Sequence, residues 1–275
     1  MRNLKNKIQD ASAYIEEKGR GNIDIGLILG SGLGELTEEI EDPVTISYAE
    51  IPYLPRSTVE GHPGEIVIGK LGGKKVLATN GRLHYYEGFS MKEVTFIVRI
   101  MKDLGVKMLI VTNACGGMDP KLYPGAIMFI DDHINWTHDN PLIGPNEDDL
   151  GLRFPDMSTA YNKDLISLGQ GVGERYGIKT EKGVYVGISG PNYMTKAELK
   201  MLRLMGGDAV GMSTVPEVIV ARHSSLPVLG ISCVTDMAIA DDLISIDHKE
   251  VLKVARETGP KFIKLVKGII EEVEL

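Results

Sequence analysis

Cysteine is scarce. Cys115 and Cys233 are the only two in 275 residues, and they form no C-x-x-C pair. Both fall in apolar runs of strand character, which argues against a disulfide framework and for a reduced, cytosolic setting. Positive charge is also in deficit: 30 Lys and Arg stand against 38 Asp and Glu, a formal net charge of -8. Such a surface is unsuited to nucleic acid or an anionic membrane, although a local basic pocket for one small anion is still allowed. No apolar run is long enough to span a bilayer, and the opening MRNLKNKIQD has no apolar signal core. The expectation is a cytoplasmic protein with neither membrane nor nucleic-acid partners.

What is present suits a large α/β unit. Hydrophobic residues make up 43% of the chain and charged residues 25%, enough for one large domain or two small ones. Apolar periodicity predicts helices over 3–18, 91–104, 163–176, 195–204 and 215–223, and a long one from about His248 that Gly259-Pro260 should kink. Strands are predicted over 23–29, 108–112, 126–130, 183–188, 209–212 and 228–234. A hairpin over 65–80 should turn at Gly72-Gly73. Strands alternating with helices imply a mostly parallel sheet, and the hairpin makes it mixed. No repeat or linker divides the chain, so a single domain over 1–275 is expected. The Pro-, Gly- and Asp-rich stretch 139–158 reads as a long loop.

Several familiar motifs fail. GSGLGE has Glu35 where a dinucleotide fingerprint needs its third glycine, and residues 64–70 fit G-x-x-x-x-G-K but are followed by Leu71 in a strand-like run. Asp132, His133, His138 and Asp139 match no common metal spacing, so no metal is expected. No G-x-S-x-G elbow occurs.

Other stretches carry chemistry. Ser31 sits in a glycine-rich turn at the end of the first strand, where backbone N–H groups can bind an anion. In NGRLHYYEG, Arg82 and His84 alternate and so point the same way in extended chain. They could join Ser31 in a phosphate cradle, or Arg82 could pair with Glu87 in a surface loop. TNACGGM offers small residues on which a flat ligand could lie, or simply close packing. In GMSTVPEV, Thr214 and Glu217 fit a helix capping box, which leaves Ser213 unassigned. Asp236, at the end of GISCVTD, either caps a helix or faces a ligand beyond the strand's carboxyl end.

Taken in order, LILGSGLGEL, GHPGE, GRLHYYEG, VTNACGGM, NPLIGPNEDDLGLRFPDMS, GVYVGISGP and GDAVGMSTVPEVIVARH resemble the trimeric purine nucleoside phosphorylase family over nearly the whole chain. The resemblance implies a three-layer α/β/α domain around a mixed, partly barrel-like sheet. It implies phosphate-dependent cleavage of a purine nucleoside to free purine and ribose 1-phosphate, with phosphate as co-substrate and no cofactor. It assigns phosphate to Ser31, His62, Arg82, His84, the backbone at Ala114, and Ser213. Ribose falls to Tyr86, Met212 and His248, with Phe154 lent by a neighbouring subunit of a homotrimer. Ala114, Gly116, Tyr193, Val210 and Gly211 surround the base.

Two positions depart from the guanosine- and inosine-cleaving members, which carry asparagine where Asp236 stands and glutamate where Met194 stands. Methionine cannot accept the N1–H of a 6-oxopurine, and an ionised aspartate offers only acceptors, which suit a 6-amino group. The expectation is a preference for adenosine-like nucleosides. The alternatives are a 6-oxopurine phosphorylase that tolerates both changes, a methylthioadenosine phosphorylase, and a non-catalytic binder on the same fold. His248, suited to a 5′-hydroxyl, argues against the methylthioadenosine reading, and the complete phosphate set argues against the binder.

Overall fold

The computed structural model describes residues 3–19, 21–58, 63–242 and 248–275, with His248 described in its backbone alone. His62 lies outside these residues. In chain order the elements are α1 (Leu4–Gly19), β1 (Ile25–Ile28), β2 (Glu41–Ser47), β3 (Glu65–Leu71), β4 (Lys74–Asn80), α2 (Met91–Val94), α3 (Phe96–Asp103), β5 (Met108–Gly117) and β6 (Ile127–Trp136). Then follow α4 (Lys163–Tyr176), β7 (Thr180–Ile188), α5 (Lys196–Leu204), β8 (Ala209–Gly211), α6 (Val215–His223), β9 (Val228–Met237) and α7 (His248–Glu272).

The nine strands run in the order β2-β3-β4-β1-β5-β8-β7-β6-β9, and β9 returns to pair with β5. Five strands therefore close on themselves while four extend as an open wing, giving the three-layer α/β/α fold with a mixed, partly barrel-like sheet. Strand β1 is buried at every residue and is parallel to both β4 and β5, as expected of a continuous apolar run in a covered sheet. The β3–β4 hairpin turns at Gly72 (φ 56°) and Gly73 (φ 76°), the two positive-φ positions that a tight two-residue turn demands.

The structure departs from the sequence expectation in several places, among them β6, which runs to Trp136 rather than ending at Ile130. Strand β2 was not predicted. It is an edge strand in which only Ile46 is buried, with Pro43 and a register shift between Glu41 and Val44. An edge needs neither apolar alternation nor a full set of backbone donors. Strands β5 and β9 run past their predicted ends, to Gly117 and Met237, because closure of the ring gives their polar and glycine-rich tips pairing partners. The helix expected over 91–104 breaks at Thr95, whose hydroxyl donates to the Met91 carbonyl at 2.8 Å, a side-chain bond that competes with helix propagation. Helix α7 is the single long helix expected from about His248 and carries Pro260 inside it, packed on α4 and β9.

Candidate active site

The carboxyl ends of β1, β4, β5 and β9 meet β8 and the start of α6 around a cavity of about 380 Å³, a size suited to a small organic ligand. Its lining includes thirteen of the residues assigned above: Ser31, Arg82, His84, Tyr86, Ala114, Gly116, Tyr193, Met194, Val210, Gly211, Met212, Ser213 and Asp236. Phe154 is not among them. It is 85% exposed and stands over a separate groove with Arg153, Leu142 and His133.

One end of the cavity is basic and polar. Ser31 occupies a turn closed by the Leu33 N–H donating to the Gly30 carbonyl at 3.1 Å, with Gly32 at φ 75°. The turn presses closely on β5: a Cβ on Gly30 would lie 2.6 Å from the Asn113 Cα. Gly30→Ala should therefore displace the turn and lower stability by about 1–3 kcal/mol. Urea denaturation measures this, and an unchanged midpoint would show that the turn has room to move.

Arg82 is buried, not a surface-loop residue. Its Nε lies 3.0 Å from Glu217 Oε1, and its Nη1 donates to the Thr112 carbonyl at 2.8 Å and to Ser213 Oγ at 3.0 Å. The expected Thr214–Glu217 capping box is absent, because Glu217 serves Arg82 instead. Thr214 caps nothing with its side chain. It sits at φ 74°, ψ -54°, with the Val215 N–H donating back to the Ser213 carbonyl at 2.8 Å. This is the rare, strained form of γ-turn. Asn113 holds it there by donating from Nδ2 to Thr214 Oγ1 at 2.9 Å.

His84 stacks on Tyr86 with ring centroids 4.8 Å apart, and its Nδ1 lies 3.2 Å from Glu87 Oε1. Burial pushes the His84 pKa down, against the opposing pull of Glu87. Burial alone would raise the Glu87 pKa. Hydrogen bonds from His84 and from the Thr58 hydroxyl and N–H outweigh it and hold the carboxyl down at about 2. Burial thus favours the neutral imidazole, and Glu87 pairs with His84 while Arg82 pairs with Glu217.

The other end is apolar apart from one carboxyl group. The β5–β9 register slips at Cys115/Gly116, so that Cys115 faces Val234 while Gly116 faces Asp236. The extra residue, Thr235, makes a bulge that re-aims Asp236 into the cavity. Asp236 lies within β9 and caps no helix. The Thr235 hydroxyl lies 2.9 Å from Asp236 Oδ1 and 3.3 Å from the Cys115 carbonyl. Burial raises the Asp236 pKa, only partly offset by Thr235. Gly116 forms a flat wall beside it, since a Cβ there would lie 3.1 Å from Asp236 Oδ2. Gly211 packs against Tyr185, whose hydroxyl would lie 2.3 Å from an added Cβ. Met194 and Met212 pack on the apolar cluster of Val186, Ile188, Leu199 and Val210.

Sequence reasoning missed Asn113, Glu217 and Thr235. Asn113 and Thr235 are polar residues inside otherwise apolar strands, and that was the available signal. Glu217 gave none, because a capping role explained it equally well.

The phosphorylase superfamily matches residues 24–271. The chain is 53% identical over 273 residues to purine nucleoside phosphorylase 1 of Bacillus subtilis (strain 168), covering 98% of this chain and all of that one. Among solved structures, the Schistosoma mansoni purine nucleoside phosphorylase in complex with adenosine superposes with a TM-score of 0.94 at 38% identity, covering 99% of both chains. A schistosoma purine nucleoside phosphorylase in complex with hypoxanthine gives the same TM-score, identity and coverage. The chain belongs to the phosphorylase superfamily and, within it, to the purine nucleoside phosphorylases.

Proposed function

We propose that the enzyme cleaves purine nucleosides with inorganic phosphate and prefers 6-aminopurines such as adenosine. Phosphate would lie at the basic end, held by Ser31, Arg82, His84, Ser213 and the backbone at Ala114. Neutral His84 donates from Nδ1 to Glu87, which leaves Nε2 as an acceptor for the P–OH of the phosphate. Tyr86, Met212 and His248 would take the ribose, and Ala114, Gly116, Tyr193, Met194, Val210 and Gly211 would enclose the base. Phosphate then attacks the anomeric carbon as the glycosidic bond stretches, and the enzyme contributes by positioning it and by stabilising charge on the departing purine. The exposed Phe154 supports a homotrimer in which this residue completes a neighbour's sugar pocket.

The single observation that carries the 6-amino preference is the bulge that turns a buried, acceptor-rich Asp236 toward the base end, with no carboxylate at Met194 beside it. An ionised Asp236 accepts from a 6-amino group and repels a 6-oxo group. In its protonated form, which burial favours, the same carboxyl can donate to N7 as the base leaves. Cleavage of adenosine should therefore decline as pH rises through the raised pKa of Asp236, and Asp236→Asn should remove this limb of the pH–rate profile. An unaltered limb would assign it to another group.

Side-by-side phosphorolysis of adenosine and inosine, with and without phosphate, tests the whole reading. Adenosine should lead by on the order of a hundredfold in kcat/KM, the effect of leaving two polar groups of the 6-oxopurine unpaired. A lead for inosine would overturn the base preference. Release of base that ignores phosphate would overturn the phosphorolysis itself. Ser213→Ala should raise the KM for phosphate roughly tenfold, the loss of one hydrogen bond to a charged group, with little change in the KM for nucleoside. The reverse pattern would move Ser213 out of the phosphate site.

A further inference from the structure

A second cavity, of about 590 Å³, lies behind the base end of the first. Met118, Leu199, Leu204, Ala238 and Ile239 form its apolar lining. Leu199 and Ala238 also line the first cavity, so the partition between the two spaces is one side chain thick. Both residues are buried, at 3% and 5% exposure.

The partition stands where the purine's 6-edge is read. The Ala238 Cβ and Asp236 Oδ2 each lie 3.1 Å from the point where a Gly116 Cβ would stand, so the two are neighbours. Met194 packs on the cluster that contains Leu199 and Ala238. Ala238 is about as small as a partition residue can be. The segment that follows it is fastened to α5 by Lys200–Asp241, a 2.6 Å pair between exposed side chains, and exposed ion pairs hold only weakly. A modest separation of this segment from α5 would join the two spaces.

We propose that the enzyme accepts adenosine derivatives carrying an apolar group on the 6-amino nitrogen, the group passing between Leu199 and Ala238 into the second cavity. This rests on the 6-amino reading of Asp236. A singly substituted amino group keeps one N–H for that carboxylate, so recognition survives the substitution. Lys200, Arg203 and Asp241 also line the space, but its apolar residues outnumber them and favour an alkyl or aryl group, which removes apolar surface from water as it enters.

The test compares kcat/KM for adenosine and N6-benzyladenosine, each with saturating phosphate. N6-benzyladenosine should be cleaved within roughly tenfold of adenosine, the scale on which apolar pockets discriminate added carbons. Ala238→Leu thickens the partition and should lower the ratio of benzyl to parent substrate by at least about tenfold. Leu204→Asp, at an 89% exposed residue that lines only the second cavity, should lower the same ratio without any buried repacking. The proposal fails if adenosine is cleaved and its benzyl derivative is not, or if neither variant moves the ratio. If inosine is cleaved and adenosine is not, the base reading fails and takes the proposal with it.

Discussion

Arg82→Ala should both abolish use of phosphate and weaken the fold. Arg82 and Glu217 are 3% and 2% exposed in their side chains and lie 3.0 Å apart. Alanine leaves the Glu217 carboxylate buried without its counter-ion, which costs about 3–5 kcal/mol. The guanidinium also holds Ser213 and the Thr112 carbonyl, so its removal loosens both β5 and the strained turn before α6. As a surface-loop residue, Arg82 would have been replaceable without harm to the fold; its burial removes that expectation. The catalytic loss should be at least about a hundredfold in kcat/KM for phosphate, comparable to removing one preorganised donor to a developing charge. The double variant Arg82→Ala/Glu217→Gln separates the two effects. Denaturation should show most of the lost stability returning, because the neutral amide no longer needs a cation, while phosphate use stays lost. A double variant that regained normal phosphate affinity would remove Arg82 from the phosphate site.

Asp236→Asn should narrow the gap between adenosine and inosine by on the order of a hundredfold, because an amide can donate where a carboxylate only accepts. The same change should stabilise the protein at neutral pH. Burial raises the Asp236 pKa in the folded state. Between its unfolded pKa, about 3.9, and that raised value, the folded protein holds more protons than the unfolded chain. Stability contributed by this group therefore falls as pH rises through that window, and the cost of burying the ionised carboxylate is fully present above it. Asparagine avoids that cost. The variant's advantage in melting temperature should be greatest near neutrality and disappear below the unfolded pKa. A stable variant with poor adenosine cleavage is the usual trade between function and stability. If the variant lost stability at neutral pH, the acceptor role of Asp236 toward Thr235 would outweigh its burial.

The helices and strands legible in the sequence were those whose burial has a simple period. The continuous apolar runs of β1 and β9 and the Gly72-Gly73 turn announce themselves through side-chain pattern and backbone freedom. Thr195 and Glu198 form the box that starts α5, where the sequence predicted a helix. Strand β2 was not legible because an edge strand is stabilised by one neighbour and tolerates polar residues and proline. The break at Thr95 was hidden because it depends on one hydroxyl choosing a backbone carbonyl.

The sequence by itself determined the order of most elements, the mixed sheet and thirteen of the residues that gather at one cavity, because those follow from local pattern and from blocks that resemble a known family. The tertiary structure decided how those residues act. Glu217 belongs to Arg82 rather than to a helix cap, since burial of the guanidinium demands a carboxylate that the chain supplies from 135 positions onward in α6. Glu87 belongs to His84. Asp236 faces the cavity because the ring closure of β9 on β5 forces a bulge at Thr235. The Arg82–Glu217 pair and the β5–β9 closure are long-range, set by the cost of leaving buried charge and backbone unpaired, and no local stretch of sequence records them; the His84–Glu87 pair is local, but only burial shows that Glu87 serves the imidazole.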